Sequence, residues 1–178
     1  YVGLDPRKDI KYVWVKKDEA VTMFAKGEID GFMNFPPGPQ ELMASGVGHL
    51  LVDTNVDKPW SQYFCCMVSA QRDFVKNNPI AAKRALRAVL KAIDHVSRDP
   101  ELATRDMLAR KIIKEKDERH ILQTLKDIPY TKWRDYNPED TVRFYALRMR
   151  DTGMIKATAQ EIIKEHTDWR FMNELKKE

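Results

Sequence analysis

The sequence has only two cysteines among 178 residues, and they are neighbours, Cys65 and Cys66. Successive side chains of a strand point to opposite faces and a bridge between adjacent residues is strained, so no disulfide framework is available. Without a second cysteine pair or a nearby histidine the two also make a poor zinc site, and they read as half-buried small apolar residues. No apolar run approaches the ~18 residues that a membrane span needs. The opening, Tyr1-Val2-Gly3-Leu4-Asp5-Pro6, has neither the basic region nor the apolar core of a signal peptide. It also lacks an initiator Met, and Tyr1-Val2-Gly3 looks like a helix end, which predicts further chain upstream. There is no Gly-rich phosphate loop, and Ser61 stands without the glycines of a nucleophile elbow, so neither a nucleotide-binding enzyme nor a hydrolase is supported. A basic block is missing too. The net charge of +4 comes from 31 basic and 27 acidic residues that are interspersed. The nearest cluster, Lys83, Arg84, Arg87 and Lys91, has the spacing of a solvated helix face, and nucleic acid is not an expected partner. His49, His95, His120 and His166 are scattered, none in a catalytic spacing with a carboxylate or cysteine, and read as surface or capping residues. No catalytic residue, metal or cofactor is implied.

What is present is ordinary for a folded soluble protein: 43% hydrophobic and 33% charged residues. The length suits one sizeable domain or two small lobes sharing a core. The first third alternates apolar segments with short amphipathic ones: strands at 12–15, 29–33 and 49–52, helices at 18–26 and 39–45. That βαβαβ order predicts a small parallel sheet with right-handed crossovers, with Gly27 and Gly46 at helix ends and Pro39 near a helix start. A linker over 53–58 leads to an aromatic run, 62–68, that reads as a buried strand. From Asp73 onward the pattern is helical: 73–76, 79–97, 100–113, 117–128, 138–152, 158–164 and 169–175. Asn78-Pro79, Asp99-Pro100-Glu101 and Asn137-Pro138-Glu139-Asp140 each set a cap residue before a proline at a helix start. Ala81, Ala85, Leu86, Val89, Leu90 and Ile93 recur at helical spacing as a core-facing stripe. The strand at 62–68 and the long helix at 79–97 both need a sheet to cover them, so the strand is expected in a second sheet whose other strands lie upstream of Tyr1.

Several strings resemble a known family. They are Tyr1-Val2-Gly3-Leu4-Asp5-Pro6, the stretch 24–32 (Phe-Ala-Lys-Gly-Glu-Ile-Asp-Gly-Phe), Phe35-Pro36-Pro37, the stretch 59–67 (Pro-Trp-Ser-Gln-Tyr-Phe-Cys-Cys-Met) and Thr167-Asp168-Trp169-Arg170-Phe171. They are similar to the substrate-binding proteins of ABC importers for nitrate, sulfonate, taurine and thiamine-pyrimidine precursors, in the branch grouped with thiamine pyrimidine synthase. The resemblance covers nearly the whole chain, and the string at 59–67 is its most specific part. It implies an α/β fold of the type II periplasmic binding protein, two lobes joined by two crossings, of which only the C-terminal part is present. Residues 1–55 would be the later part of the second lobe, and 56–178 the return crossing, a strand and the helical C-terminal cover of the first lobe. It implies a periplasmic or extracytoplasmic place, a small-molecule ligand in the cleft between lobes, and an ABC permease as partner.

A small organic solute takes affinity from aromatic walls and orientation from a few fixed polar groups. Two stretches offer both. Asn34, Phe35, Pro36 and Gln40 follow an expected strand and lead into a helix start, the usual ligand position in open α/β sheets; a proline-stiffened loop without a ligand is the alternative. Trp60, Ser61, Gln62, Tyr63 and Phe64 bring three aromatics and two polar groups within five positions; ordinary core aromatics are the alternative. The expected function is that of a solute-binding component of an importer and not an enzyme. A synthase-like enzyme or its relic is the second possibility, although the cysteine-rich motif and early histidine which that branch implies are reduced here to Cys65-Cys66. A self-associating module is the third: an exposed strand edge at 64–68 and the stripe of helix 79–97 would favour a homo-oligomer.

Overall fold

Start and stop signals in the sequence place the helices. The computed structural model describes residues 3–178, so the expected helix end at 1–3 lies mostly outside the described residues. Among them are nine α-helices: α1 (Lys17–Ala25), α2 (Gly38–Ala44), α3 (Arg72–Asn77), α4 (Pro79–Arg98), α5 (Pro100–Ala109), α6 (Glu118–Asp127), α7 (Pro138–Asp151), α8 (Ala159–His166) and α9 (Arg170–Leu175). Short 3-10 turns stand at Trp60–Gln62, Glu115–Asp117 and Tyr130–Arg134. The caps satisfy amides that a helix start leaves orphaned. Asp99 accepts from the Leu102 amide at 2.8 Å, and Asn137 from the amides of Glu139 and Asp140 at 3.0 and 3.3 Å. Thr158 and Glu161 form a reciprocal capping box at α8. Asn78 departs from expectation: its side chain caps nothing in α4 and donates instead to the Phe74 carbonyl at 3.3 Å, closing the end of α3.

Helix ends repeat one device. In α1, α2 and α7 a glycine with positive φ (Gly27, Gly46, Gly153) donates to the carbonyl three residues back, and the next amide reaches five residues back. The same pair of bonds ends α5, Lys111 to Leu108 and Ile112 to Met107, both 2.9 Å, but the left-handed position is held by Lys111, φ 56°. The expected helix to Ile113 therefore stops at Ala109.

The α/β expectation is overturned. The chain is 57% helical and has no strand or sheet among the described residues. The segments read as the βαβαβ lobe's strands (12–15, 29–33, 49–52) and as the crossing strand (62–68) are irregular, apart from the turn at Trp60–Gln62. A strand exists only through hydrogen bonds to a neighbour. Among the described residues no backbone hydrogen bond reaches 10–15, 29–33, 48–52 or 64–70. β-Branched and aromatic composition is there, the partner ladder is not, and the apolar side chains stay in water: Trp14 is 93% exposed, Met33 85% and Leu51 81%.

The chain divides into two compact units, Tyr1–Leu50 and Leu51–Glu178. In the first, Ala20, Gly38 and Gln40 are buried, and the Phe24 and Phe32 rings meet at 5.4 Å. Gly48 lies so close to Phe24 that a Cβ there would stand 2.5 Å from the ring. In the second unit α4 packs against α3, α5, α6, α9 and the Tyr130–Arg134 turn, α5 against α6, and α7 against α8. Leu90, Ala103, Val142, Ala146, Ala159, Ile163 and Leu175 are its buried apolar residues. The fully buried hydroxyls of Thr104 and Thr141 donate to the carbonyls of Pro100 and Asn137, at 2.7 and 3.3 Å, so neither costs an unmade bond.

The expected stripe of α4 is covered on one side only. Leu90 is buried and Leu86 and Ile93 half-buried, whereas Ala81, Ala85 and Val89 are exposed, as is Ile80. Salt links tie α4 to its neighbours instead. Asp94 holds Arg134 through two bonds, 2.8 and 3.1 Å, and the Trp133 indole at 3.1 Å. Lys83 pairs with Glu174 at 2.7 Å and Arg87 with Glu178 at 2.6 Å. Two members of the basic cluster are thus paired with carboxylates at the C-terminal end.

Candidate functional site

The first stretch begins with an amide. The Asn34 carbonyl oxygen accepts from the Phe35 amide at 2.9 Å. Its Nδ2 is buried without a hydrogen-bond partner and lies where a Cβ on Gly38 would collide with it, 2.2 Å away. An unmet buried donor is costly, so this amide is a ready hydrogen-bonding group should an acceptor arrive. The Pro36–Pro37 peptide is cis, and the Gly38 amide donates to the Phe35 carbonyl at 3.0 Å, so the loop turns tightly into α2. Phe35 and Pro36 are exposed, Phe35 by 59%, and Gln40 is buried in α2. The loop thus presents a ring and a proline outward and two amides inward.

The second stretch is organised from the carboxylates ahead of it. The Asp57 carboxylate accepts from the Asp53 amide at 2.7 Å, and the Asp57 carbonyl accepts from the Ser61 amide at 2.9 Å. After the cis Lys58–Pro59 peptide the chain makes the 3-10 turn Trp60–Gln62 and leaves it extended at Tyr63 (φ −128°, ψ 139°). Tyr63 stacks on Phe144 of α7 with centroids 4.0 Å apart and planes 12° apart. Phe64 meets Tyr136 edge-on at 5.9 Å, and the Tyr136 hydroxyl donates to the Ser61 carbonyl at 3.5 Å. Burial, and then the charge of Asp135, pushes the Tyr136 phenol above its ordinary range. Trp60 and Ser61 are half-buried, and Gln62 is exposed. Of the five, Tyr63 and Phe64 are engaged in packing, while Gln62 points its amide to solvent.

Phe144 and Tyr136, which fix the two aromatics, carry no local signal of that role, because they lie more than seventy residues further along the chain and meet the stretch only through the fold of α7. Grooves on the second unit, one lined by Leu108, Lys111, Ile113, Lys114, Glu115 and Glu118 and another by residues 77–81 with Arg84, include none of the candidate ligand-binding residues expected from sequence. Grooves without an aromatic wall are not what an organic solute needs, so the aromatic stretches remain the candidates.

Comparison with known proteins adds the family. The model of the NMT1-like family matches residues 1–113, which span both aromatic stretches and α1 to α5. The chain belongs to the NMT1-like family. This is the family of nitrate, sulfonate and thiamine-precursor binding proteins, and it is generally periplasmic. No curated protein and no solved structure matches the chain. No helix among the described residues is long and apolar enough to cross a membrane.

Proposed function

We propose that this NMT1-like chain is the solute-binding component of an ABC-type importer. In this reading a small organic molecule is taken at one of two stretches, each considered by itself: Asn34, Phe35, Pro36 and Gln40 in the first unit, or Trp60, Ser61, Gln62, Tyr63 and Phe64 in the second. The observation that carries the reading is that both stretches lie within the matched residues and each sets a constrained aromatic segment beside unspent polar groups: the Asn34 Nδ2 in one and the exposed Gln62 amide in the other. Aromatic faces bind a planar or apolar body, and amides orient a carboxylate, sulfonate or nitrate oxygen. A permease is the expected recipient of the solute. The role asks for no bond-making by the protein, and the reading is accordingly non-enzymatic. Calorimetric titration with nitrate, alkyl sulfonates, pyrimidines and phthalate-like acids tests it: one class is expected to bind saturably, and failure of all four contradicts it. Incubation with pyridoxal phosphate and iron is expected to yield no pyrimidine product; its formation would favour the synthase direction instead.

A second reading concerns the apolar segments that have no sheet. Trp14, Met33 and Leu51, each more than four-fifths exposed, together with the open side of α4, are surfaces that a monomer in water rarely leaves bare. This reading has those segments covered by a second copy of the chain; the alternative is that they remain in water. Sedimentation analysis separates the cases: self-association that grows with concentration supports the second copy, and a monomer throughout rules it out.

A further inference from the structure

The two cysteines are placed otherwise than alternation along a strand would put them. Both are exposed rather than half-buried, and their sulfurs lie 3.6 Å apart on the same side of the chain. The reason is the one that removed the strand: residues 64–70 pair with no neighbour and are not held to a pleat. We propose that Cys65 and Cys66 form a dithiol site for trivalent organoarsenicals.

Geometry selects this chemistry over the other fates of a thiol pair. A centre bonded to two sulfurs at about 2.3 Å, the length of a zinc–thiolate bond, with about 100° between the bonds, holds those sulfurs about 3.5 Å apart. That spacing is already present. Four-coordinate zinc would need two further protein ligands. Among the described residues no group of three or more His, Cys, Asp or Glu side chains is placed to hold a metal ion. A trivalent arsenic bearing an organic group brings its third bond with it and asks the protein for two sulfurs only. A disulfide fits less well, because adjacent Cα atoms are about 3.8 Å apart, short of the ~4.4–6.8 Å usual for bridged cysteines.

The surroundings suit an aryl substituent. Phe64 and Tyr136 meet edge-on next to the pair. Burial first, and then the neighbouring cysteines when ionised, raises the phenols of Tyr130 and Tyr145. Burial, and then Cys66, raises the Cys65 thiol, so it enters the reaction protonated at neutral pH. The reaction is a condensation. Two S–H bonds and the arsenic–oxygen double bond of an arsine oxide break, two As–S bonds form, and both protons leave with the oxygen as water. Arsenic stays trivalent and no oxidant is consumed.

Phenylarsine oxide tests the site on the whole chain, followed by intact mass and by a count of free thiols. The expected result is one phenylarsenic group per chain with both thiols lost, an adduct that survives excess glutathione and is released by a small 1,2-dithiol. Cys65→Ser and Cys66→Ser should each weaken retention by roughly 10²-fold, the advantage of a second tethered bond. Two arsenic groups per chain, removal by glutathione, or a single-cysteine variant that retains the adduct as well as the native chain would overturn the proposal. The first two outcomes are read on the unsubstituted protein, so the test holds even if a variant fails to fold.

Discussion

Asp94 shows how much one carboxylate can organise. The Arg134 hydrogen bonds, and after them the Trp133 indole, hold its pKa down to about 2. A depressed carboxylate adds stability that is complete above its ordinary pKa of about 4 and is lost as pH falls from there through about 2. The pair is about a third to a half exposed, so its worth is modest. Asp94→Asn is expected to lower stability by about 1 kcal/mol at neutral pH and to flatten the decline between pH 4 and 2, both read from urea melts across pH. None of this was legible beforehand, since Asp94 and Arg134 lie forty residues apart with no pattern linking them. The candidate aromatics were legible as residue types. Which of them face solvent was not, because that depends on Phe144 and Tyr136. Phe35→Ala and Gln62→Ala remove exposed groups and should leave the melting temperature within about 1 °C, whereas Tyr63→Ala should cost about 3 kcal/mol through its lost stack on Phe144.

At the scale of elements, helices were readable because their signals are local. Cap residues, N-terminal prolines and C-terminal glycines act within one turn, and α2, α7 and α8 start within one residue of their expected positions. Where the signal was absent the reading overran, as at α5, whose left-handed end residue is Lys111 and not glycine. A side chain in that conformation costs about 1–2 kcal/mol, partly offset by the greater freedom of glycine in the unfolded chain. Lys111→Gly should therefore stabilise by about 0.5–1 kcal/mol, seen as a higher urea midpoint with unchanged slope. Thr158→Ala, which removes the capping box of α8, should cost about 1 kcal/mol. Strands failed for the converse reason. Their signal is a composition that suits a sheet, and the sheet itself is a non-local object. Segments 12–15, 29–33 and 49–52 have the composition without the partners, and their amides should exchange with solvent far faster than those at the centres of α4 and α7 in a hydrogen-exchange experiment.

For the molecule as a whole, family and fold point to different amounts of structure. Membership of the NMT1-like family brings a solute-binding role, while the helical units leave strand-like segments and one side of α4 uncovered. The resemblance was carried by long strings such as 59–67, which survive in sequence whether or not a sheet forms around them. The sheet expectation borrowed from the same resemblance did not survive, because hydrogen-bonded ladders need both strands. At the centre stands solute binding by the stretch 34–40 or by the stretch 60–64, each within its own unit. Isothermal titration calorimetry of the chain against nitrate, alkyl sulfonates, pyrimidines and phthalate-like acids tests this most directly, with the Phe35→Ala and Gln62→Ala variants run beside it. The expected result is saturable one-to-one binding of one class, weakened at least about tenfold, or about 1.4 kcal/mol, by whichever variant lies in the binding stretch. Absence of binding by every class, or binding that both variants leave unchanged, would contradict it.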